Sequence, residues 1–441
     1  MLISGLKNTW QTKINKENGL FFRRCLEYIN IVCLLLCAYS LYFRQSSKSP
    51  AVFEVLLFIS LYIWIFSIPT RWTLDDIREP LLIALCSLAC IGLVIFLSAN
   101  ESSIPYVLQK SMILLILIPS YLLLFKRLGF IYLVTIVLEE FRIVLSCLCA
   151  VGLCIWLIIS IFGNILPSFP VNYIWGGHSN VSNGYLGLVF TPQLAHFKSM
   201  SFPRFTLFFI EAPLANFVFI LGIMTELFVK MRPKWISVGI FVLSSLLTFS
   251  TASLILLPLI FICWITVSDS GKNFRRKNKK LNICILIAVS CFIVLFPIAA
   301  YLLVRNKSNT TSLKIHFIDF IVGVRSFADS PIWGHGIGNY QSSFIAFGGG
   351  NGQTSGLLSV AAQGGILLLA PYLIPLVILI LGGVKKRNLG QSTCAIIILI
   401  MFTIIVIDNN PLFAVVLAFC YAVPFENEKY AEVLQPVNQL E

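Results

Sequence analysis

The feature that most constrains this chain is the repetition of long apolar runs separated by short clusters of charge. Roughly a dozen runs of about 15–25 residues hold almost no charged side chains, and each is about as long as a helix that crosses ~30 Å of hydrocarbon. A transmembrane β-barrel would show alternating polar and apolar residues instead. The pattern therefore predicts an all-α fold, a polytopic transmembrane helical bundle.

Composition and charge agree with a membrane protein and argue against a nucleic-acid partner. The chain is 58% hydrophobic and 12% charged, and a soluble domain of that composition would expose far too much apolar surface. The net charge of +13 comes mostly from basic residues that flank apolar runs, as in membrane proteins generally. The 13 cysteines lie in or beside these runs, which predicts small buried side chains and neither disulfides nor a metal site.

About twelve spans are predicted, with a range of 11–13. Basic clusters flank both sides of 235–267, so two short helices that turn at "TFSTAS" are favoured there, and a single span with a re-entrant piece is the alternative. The candidate spans lie at roughly 26–43, 51–69, 81–99, 104–125, 143–165, 205–229, 235–249, 252–267, 281–304, 357–384, 393–407 and 412–424.

The distribution of positive charge predicts that both termini are cytoplasmic. In that orientation, cytoplasmic segments hold 23 of the 32 Lys and Arg residues. Residues 1–25 then form a cytoplasmic leader, 26–424 a single membrane domain, and 425–441 a short cytoplasmic tail with a disordered end. The segment 130–142 is predicted as an interfacial helix, with membership of a span as the alternative.

Two long loops, 166–203 and 305–356, then face away from the cytoplasm, and short interfacial helices are expected in them. They hold all four histidines of the chain, which are candidate general bases because imidazole titrates near neutral pH. The histidines are His178, His196, His316 and His335. His178 and His196 are too far apart in sequence to indicate a metal site.

Arg204 is the first candidate for binding an anion. It is predicted to begin a span that also carries Glu211, Pro213 and Asn216. Polar groups inside a membrane helix are costly unless they face a cavity or a partner, which favours an anion site at the mouth of a substrate cavity. The alternative is an interfacial arginine that reaches the lipid headgroups and pairs with Glu211.

The second loop supplies further cations, Arg305, Lys314 and Arg325. A guanidinium matches phosphate oxygens in a bidentate fork, and lysine acts as a point charge. A pyrophosphate-bearing lipid would explain cations on this side of the membrane. The alternative is that they are solvated charges paired with Asp319 or Asp329.

The stretch "PIWGHGIGNY" follows these cations. Gly334, Gly336 and Gly338 allow positive φ and a close backbone approach, so their amides could bind an anion as a nest. A tight turn that packs Trp333 and Tyr340 into the fold fits the same residues equally well.

Four segments together resemble the O-antigen polymerase/ligase superfamily (Wzy-like bacterial membrane proteins). They occur in the order found in that family, within roughly residues 204–385. The segments are "RFTLFFIEAPLANF", "LLTFSTASLI", "DSPIWGHGIGNY" and "TSGLLSVAAQGGILLLAPYL".

The resemblance implies a glycosyltransferase on the outer face of a bacterial inner membrane. Its donor would be an oligosaccharide on undecaprenyl pyrophosphate, without nucleotide sugar, cofactor or required metal. Membrane lipids and a chain-length regulator protein are the other partners that it implies. Arg204 and Arg325, with Lys314 and Arg305, would hold the pyrophosphate, while Glu211 or His316 would take the acceptor proton. Asn216, Gly334, His335 and Gly336 would contact the substrate.

This sequence departs from the family pattern at several positions. Thr251 and Ala252 stand where the family has an arginine in the hairpin, and Lys314 stands in place of an arginine well ahead of Pro331. The histidine that ligases carry before the span after the large loop is absent, because that place reads "GQTSG". A polymerase is therefore favoured over a ligase, and a lipid-linked oligosaccharide flippase is the alternative from another class.

Overall fold

The structure is a computed structural model. Most of the residues it describes are helical, and six of the helices are long and apolar enough to cross a membrane. A helical membrane protein is therefore confirmed, whereas the number of spans stays a prediction, and the candidate span at 281–304 lies outside the described residues. The described residues are 21–46, 49–68, 73–163, 165–175, 178–197, 200–229, 233–268, 271, 311–349, 354–385 and 388–434.

The helices follow the apolar runs, with bounds that differ from the predicted ones by a few residues at most ends. In chain order they are α1 (21–37), α2 (Ser49–Ser67), α3 (Leu74–Leu97), α4 (Ile104–Leu128), α5 (Phe130–Phe162), α6 (Ala212–Val229), α7 (Trp235–Leu247), α8 (Thr251–Val267), α9 (Thr311–Asp329), α10 (Gln341–Ala346), α11 (Gly356–Lys385), α12 (Leu389–Ile404) and α13 (Pro411–Leu434).

At two predicted boundaries the helix continues through the residues at which a change was expected. The interfacial helix expected at 130–142 is the first part of α5, which runs without interruption for 33 residues. Gly129, with φ of 75°, separates α5 from α4, and no glycine or proline follows it before residue 143. The tail expected to be disordered from residue 425 continues α13 as far as Leu434.

The start of α6 also differs from the prediction. Residues 204–211 are not helical, so Arg204 precedes the span and does not begin it. This segment runs beside the end of α1, where the N–H of Leu41 donates to the Phe208 carbonyl oxygen at 2.7 Å. Pro213 lies in the first turn of α6, where its missing N–H costs no helical hydrogen bond.

The loop 166–203 carries β-strands, and the prediction of interfacial helices there was wrong. Residues that favour strands, such as Val171, Tyr173 and Val181, alternate with polar ones in this loop. Val171 and Tyr173 are buried on one face, as the period of two requires. The strands form an antiparallel sheet β1-β2-β3 and a separate pair β4-β5. Their bounds are β1 (Ser168–Trp175), β2 (His178–Tyr185), β3 (Val189–Phe190), β4 (Leu194–Phe197) and β5 (Met200–Pro203).

The predicted pair of short helices is confirmed as α7 and α8. Ser250 caps the start of α8, because its side-chain oxygen accepts a hydrogen bond from the N–H of Ala252. The N–H of Phe205 donates to the Leu247 carbonyl oxygen at 2.9 Å. The turn between α7 and α8 therefore lies against the segment that follows β5.

α11 is broken near its start. Gly364 and Gly365 have non-helical backbone angles, and Gly365 has φ of 57°. The amides freed by this break bond to the segment 330–340, since the N–H of Ile366 donates to the Pro331 carbonyl oxygen at 2.8 Å. We call the end of the bundle that carries the strands, residues 204–211, the α7–α8 turn and residues 330–340 the loop-rich end.

Candidate functional site

Neighbours on three sides fix the backbone around Arg204. Its own N–H donates to the Gln193 carbonyl oxygen at 3.0 Å, and Phe205 bonds to Leu247 as described above. The indole nitrogen of Trp156 on α5 donates to the Pro203 carbonyl oxygen at 2.9 Å. The arginine is therefore presented by ordered backbone at the loop-rich end.

The guanidinium of Arg204 is half-buried and has unused hydrogen-bonding capacity. Burial lowers its pKa, and the nearby charge of Glu211 acts in the opposite direction. Its Nε is buried without a hydrogen-bond partner among the described residues. An unpaired donor on a partly desolvated cation is costly, and an anion with several oxygens would satisfy it. This favours the anion-site interpretation over an arginine that serves the fold alone.

Glu211 lies at the N-cap of α6 and not inside a helix as predicted. Its side chain does not cap the helix, and the N–H of Ala212 donates to Gln193 Oε1 at 3.2 Å. Burial raises the pKa of Tyr173 on β1, and the carboxylate of Glu211 raises it further. A cation, a carboxylate, a phenol and a helix N-terminus thus lie in one neighbourhood, which suits a negatively charged ligand with a transferable proton.

Asn216 is fully buried one to two turns into α6. The Ser245 hydroxyl on α7 donates to its Oδ1, while its Nδ2 has no partner among the described residues. The side chain therefore joins α6 to the α7–α8 pair beneath Arg204. The structure places it as a support of the site, at a distance from the loop-rich surface.

The glycine-rich segment 330–340 is a packed turn. Gly334 and Gly336 have φ of 66° and 101°. A Cβ at Gly334 would lie 2.5 Å from the carbonyl carbon of Gln363, and one at Gly336 would lie 2.6 Å from the Asn100 carbonyl oxygen. The amides of residues 334–339 all donate to protein acceptors, so none is left to form an anion nest. The turn is docked between α11 and the α3–α4 connection.

His335 and Arg325 occupy different surroundings. His335 is buried in the turn, with its Nε2 3.0 Å from the Ser326 carbonyl oxygen and 3.6 Å from Asp329 Oδ2. Arg325 is exposed on α9, next to the buried Ser326. Neither contacts Arg204 in the described part of the chain.

The remaining predicted residues fall outside what the structure describes. Lys314 and His316 lie on α9, but their side chains are not among the described ones. Arg305 lies outside the described residues altogether. The side chains of His178 and His196, on β2 and β4, are also outside them.

Sequence reasoning passed over two polar groups at the loop-rich end. The guanidinium of Arg44 stacks over the rings of Tyr39 and Phe43, at 4.9 and 5.6 Å from their centroids. Lys110 on α4 forms a buried ion pair with Asp408, which lies between α12 and α13. Lys110 interrupts an apolar run and Arg44 directly follows one, but the partner of neither could be predicted from sequence.

A cavity of about 140 Å³ lies deeper in the bundle, between α1, α4, α5, α6 and α13. Its lining is almost entirely apolar and includes Leu34, Tyr121, Met224 and Phe419. It contains none of the charged groups described above. The apolar lining of the cavity suits hydrocarbon.

In comparisons with known proteins, no protein-family model matches the chain and no curated protein is significantly similar to it. Within the described ranges, no group of three or more His, Cys, Asp or Glu side chains has a geometry that could hold a metal ion. The arrangement around Arg204 and Glu211 is therefore the strongest candidate site, and it is built for an anionic ligand at the loop-rich end.

Proposed function

We propose that this protein is a membrane glycosyltransferase that polymerises lipid-linked oligosaccharide repeat units. The donor and acceptor are both carried on undecaprenyl pyrophosphate, and the product is an O-antigen, capsular or exopolysaccharide chain. The observation that carries the proposal is the half-buried Arg204 beside Glu211, with an Nε that has no hydrogen-bond partner among the described residues. The resemblance of four segments to the polymerase/ligase superfamily supports it.

The proposed reaction is displacement at the anomeric carbon of the donor sugar. The acceptor hydroxyl oxygen forms the new bond to that carbon, and the bond from the carbon to the phosphate oxygen breaks. The electron pair remains on the lipid diphosphate, and Arg204 stabilises the charge that builds there. The proton of the acceptor hydroxyl passes to a base, for which Glu211 and His316 are the candidates.

Other cations join Arg204 in this proposal. Arg325 and Lys314 on α9, and Arg305 ahead of it, would complete the field that attracts the diphosphate. The packed turn at Gly334, His335 and Gly336 would set the position of this region, and Asn216 would support Arg204 from below. The site lies on the periplasmic side of a bacterial inner membrane, with both termini in the cytoplasm.

Two features favour an enzyme that polymerises over the alternatives. The sequence "GQTSG" lacks the histidine expected of a ligase. A flippase is expected to carry charges deep in many spans and repeat-related halves. Here the half-buried guanidinium of Arg204, whose Nε has no hydrogen-bond partner among the described residues, lies at one end, in the loop-rich region.

The test is incubation of the purified protein with its lipid-diphosphate repeat unit, followed by gel electrophoresis of the product. A ladder of chain lengths is expected. Transfer of a single glycan to a different lipid acceptor would identify a ligase instead. Movement of the lipid across vesicle membranes without any new glycosidic bond would identify a transporter.

A further inference from the structure

A buried ion pair joins α4 to the segment between α12 and α13. The Nζ of Lys110 donates to Oδ2 of Asp408, and their side chains are 0% and 2% exposed. Desolvating two charges is costly, and a pair of this kind inside a membrane protein marks either a structural constraint or a site. A π-helical stretch, Met112–Leu117, begins two residues after Lys110, and such distortions are frequent at functional sites.

Part of this arrangement is explained by the fold. The hydroxyl of Tyr372 on α11 donates to the Asp408 carbonyl oxygen at 3.0 Å, and its ring lies 5.5 Å from Lys110 Nζ. Asn409 Nδ2 donates to Gln109 Oε1 at 3.2 Å, and Asn410 Oδ1 accepts from the Leu412 N–H at 2.9 Å. These contacts fix the segment between α4, α11 and α13.

Three polar atoms remain that these contacts do not explain. Asp408 Oδ1, Asn409 Oδ1 and Asn410 Nδ2 are buried and have no hydrogen-bond partner among the described residues. They belong to consecutive residues, and Asp408 and Asn410 are at most 2% exposed. Each buried polar atom without a partner costs free energy, so three in succession indicate that a polar ligand or water completes them.

The chemistry of these atoms selects a class of ligand. Two are acceptors and one is a donor, and a sugar hydroxyl can donate to the first and accept from the second. A phosphate group without a proton only accepts, so it could not satisfy Asp408 or Asn409. A cation is disfavoured by the ammonium group of Lys110 beside the carboxylate.

The segment also lies close to the packed turn. Burial raises the pKa of Tyr340 to about 12, and the carboxylate of Asp408 contributes to this rise, while a hydrogen bond with Ser359 opposes it. The Tyr340 phenol at the end of the turn and the Asp408 carboxylate between α12 and α13 are therefore near enough for their charges to interact. Nothing in the reaction around Arg204 requires this second group of polar atoms.

We infer that Asp408, Asn409 and Asn410, held in place by Lys110, form a subsite that binds hydroxyl groups of a saccharide. The inference rests on the proposed function, which supplies the saccharide. In this arrangement the diphosphate binds at Arg204, and a sugar of the lipid-linked chain binds at the subsite formed by Asp408, Asn409 and Asn410. The residues bind and position sugar and take no part in bond breaking.

The test is the Asn410→Ser substitution in the full-length purified protein. Serine keeps an oxygen that can accept from the Leu412 N–H, but removes the Nδ2 donor. Lipid-linked repeat units extracted from the source cells are titrated, and we expect KM to rise about three- to tenfold with kcat nearly unchanged, as for one lost hydrogen bond. Inhibition by the lipid-free oligosaccharide should weaken by the same factor.

Two further variants separate binding from folding. Asn410→Thr keeps the same acceptor and replaces the serine variant if that protein is not recovered. Thr403→Val on α12 removes a hydroxyl that donates only to the Leu399 carbonyl oxygen, and it should leave KM unchanged. An unchanged KM in Asn410→Ser, or a fall in kcat alone, would overturn the subsite while leaving the proposed polymerase intact. A wild-type protein that makes no polymer and is not affected by the oligosaccharide would refute the proposed function itself.

Discussion

The N–H of Phe205 donates to the carbonyl oxygen of Leu247 at 2.9 Å, and this bond ties the residue after Arg204 to the end of α7. The two segments come from opposite sides of α6 in the sequence. Because the backbone of Arg204 is held from both directions, the position from which its side chain projects is set before any ligand arrives. A fixed attachment point for the cation favours the stabilisation of a departing diphosphate.

Arg204→Ala is therefore expected to abolish detectable polymer. Loss of one preorganised charge-stabilising contact costs about 10²–10³ in rate, and lysine should restore only part, since it keeps the charge but loses the fork geometry. The measurement is the chain-length ladder from purified protein, with the amount of folded protein determined in parallel.

Arg325→Ala provides a matched comparison, because this arginine is exposed on α9. A smaller loss of polymer than in Arg204→Ala is expected, since an exposed charge is screened by solvent and salt.

Long chains made by a well-folded Arg204→Ala protein would show that Arg204 serves the fold alone.

The Asn216–Ser245 hydrogen bond is expected to stabilise the support beneath Arg204. Asn216→Ala and Ser245→Ala should each lower stability, and a double-mutant cycle should give a coupling of about 0.6–2 kcal/mol, as for polar pairs between membrane helices. Thermal unfolding in detergent measures this. Full additivity of the two substitutions would mean that the bond contributes nothing.

Gly334→Ala and Gly336→Ala are expected to destabilise the protein strongly. Each residue has positive φ, and each added methyl group would meet backbone atoms at 2.5–2.6 Å. Loss of folded protein on size-exclusion chromatography is the measurement.

Gly348→Ala is the control for this effect, because Gly348 has φ of 86° but no atom within 4 Å of an added Cβ. Only the backbone strain remains there, which costs about 1–2 kcal/mol. An equal loss of folded protein in all three variants would contradict the packing of the turn against Gln363 and Asn100.

The loop-rich end is predicted to face away from the cytoplasm. Ser179 on β2 and Gln341 on α10 are exposed, so cysteine at either position should react with an impermeant thiol reagent in intact spheroplasts. The background must lack the 13 native cysteines. If the cysteines at both positions are labelled only after lysis, the topology is the inverse of the predicted one. The basis for glycosyl transfer on the periplasmic side would then be lost.

Turnover is predicted to be independent of divalent metal ions, because the proposed leaving group is stabilised by arginine. Activity should persist in EDTA. If activity is lost in EDTA and is restored by magnesium or manganese, a metal ion and not Arg204 stabilises the leaving diphosphate.

Much of the helical framework could be predicted from the sequence, because each apolar run must be buried in lipid or protein. The short pair α7–α8 could also be predicted, since basic clusters on both sides required the chain to return. The predicted helix bounds were wrong where the local sequence signals were ambiguous. Residues 204–211 are mostly apolar, yet they are not helical, and the hydrogen bond from the Leu41 N–H to the Phe208 carbonyl oxygen holds them against the end of α1.

The candidate site was only partly accessible from sequence for a related reason. Arg204 and Glu211 could be singled out because they interrupt an apolar stretch. The pairing of Lys110 with Asp408 could not, since 298 residues separate them and no local pattern links the two. The packed state of the glycine-rich turn depends on Gln363 and Asn100, which lie elsewhere in the chain.

The buried ion pair also bears on how this sequence can change during evolution. Tyr372, whose hydroxyl bonds to Asp408, comes seven residues after the break at Gly365, so its Cα lies roughly 10 Å below that break along α11. Their side chains are 0% and 2% exposed, so a single replacement in the Lys110–Asp408 pair leaves a buried charge without its counter-charge. Lys110 and Asp408 should therefore covary among related sequences: a sequence that has replaced one of them should also have replaced the other.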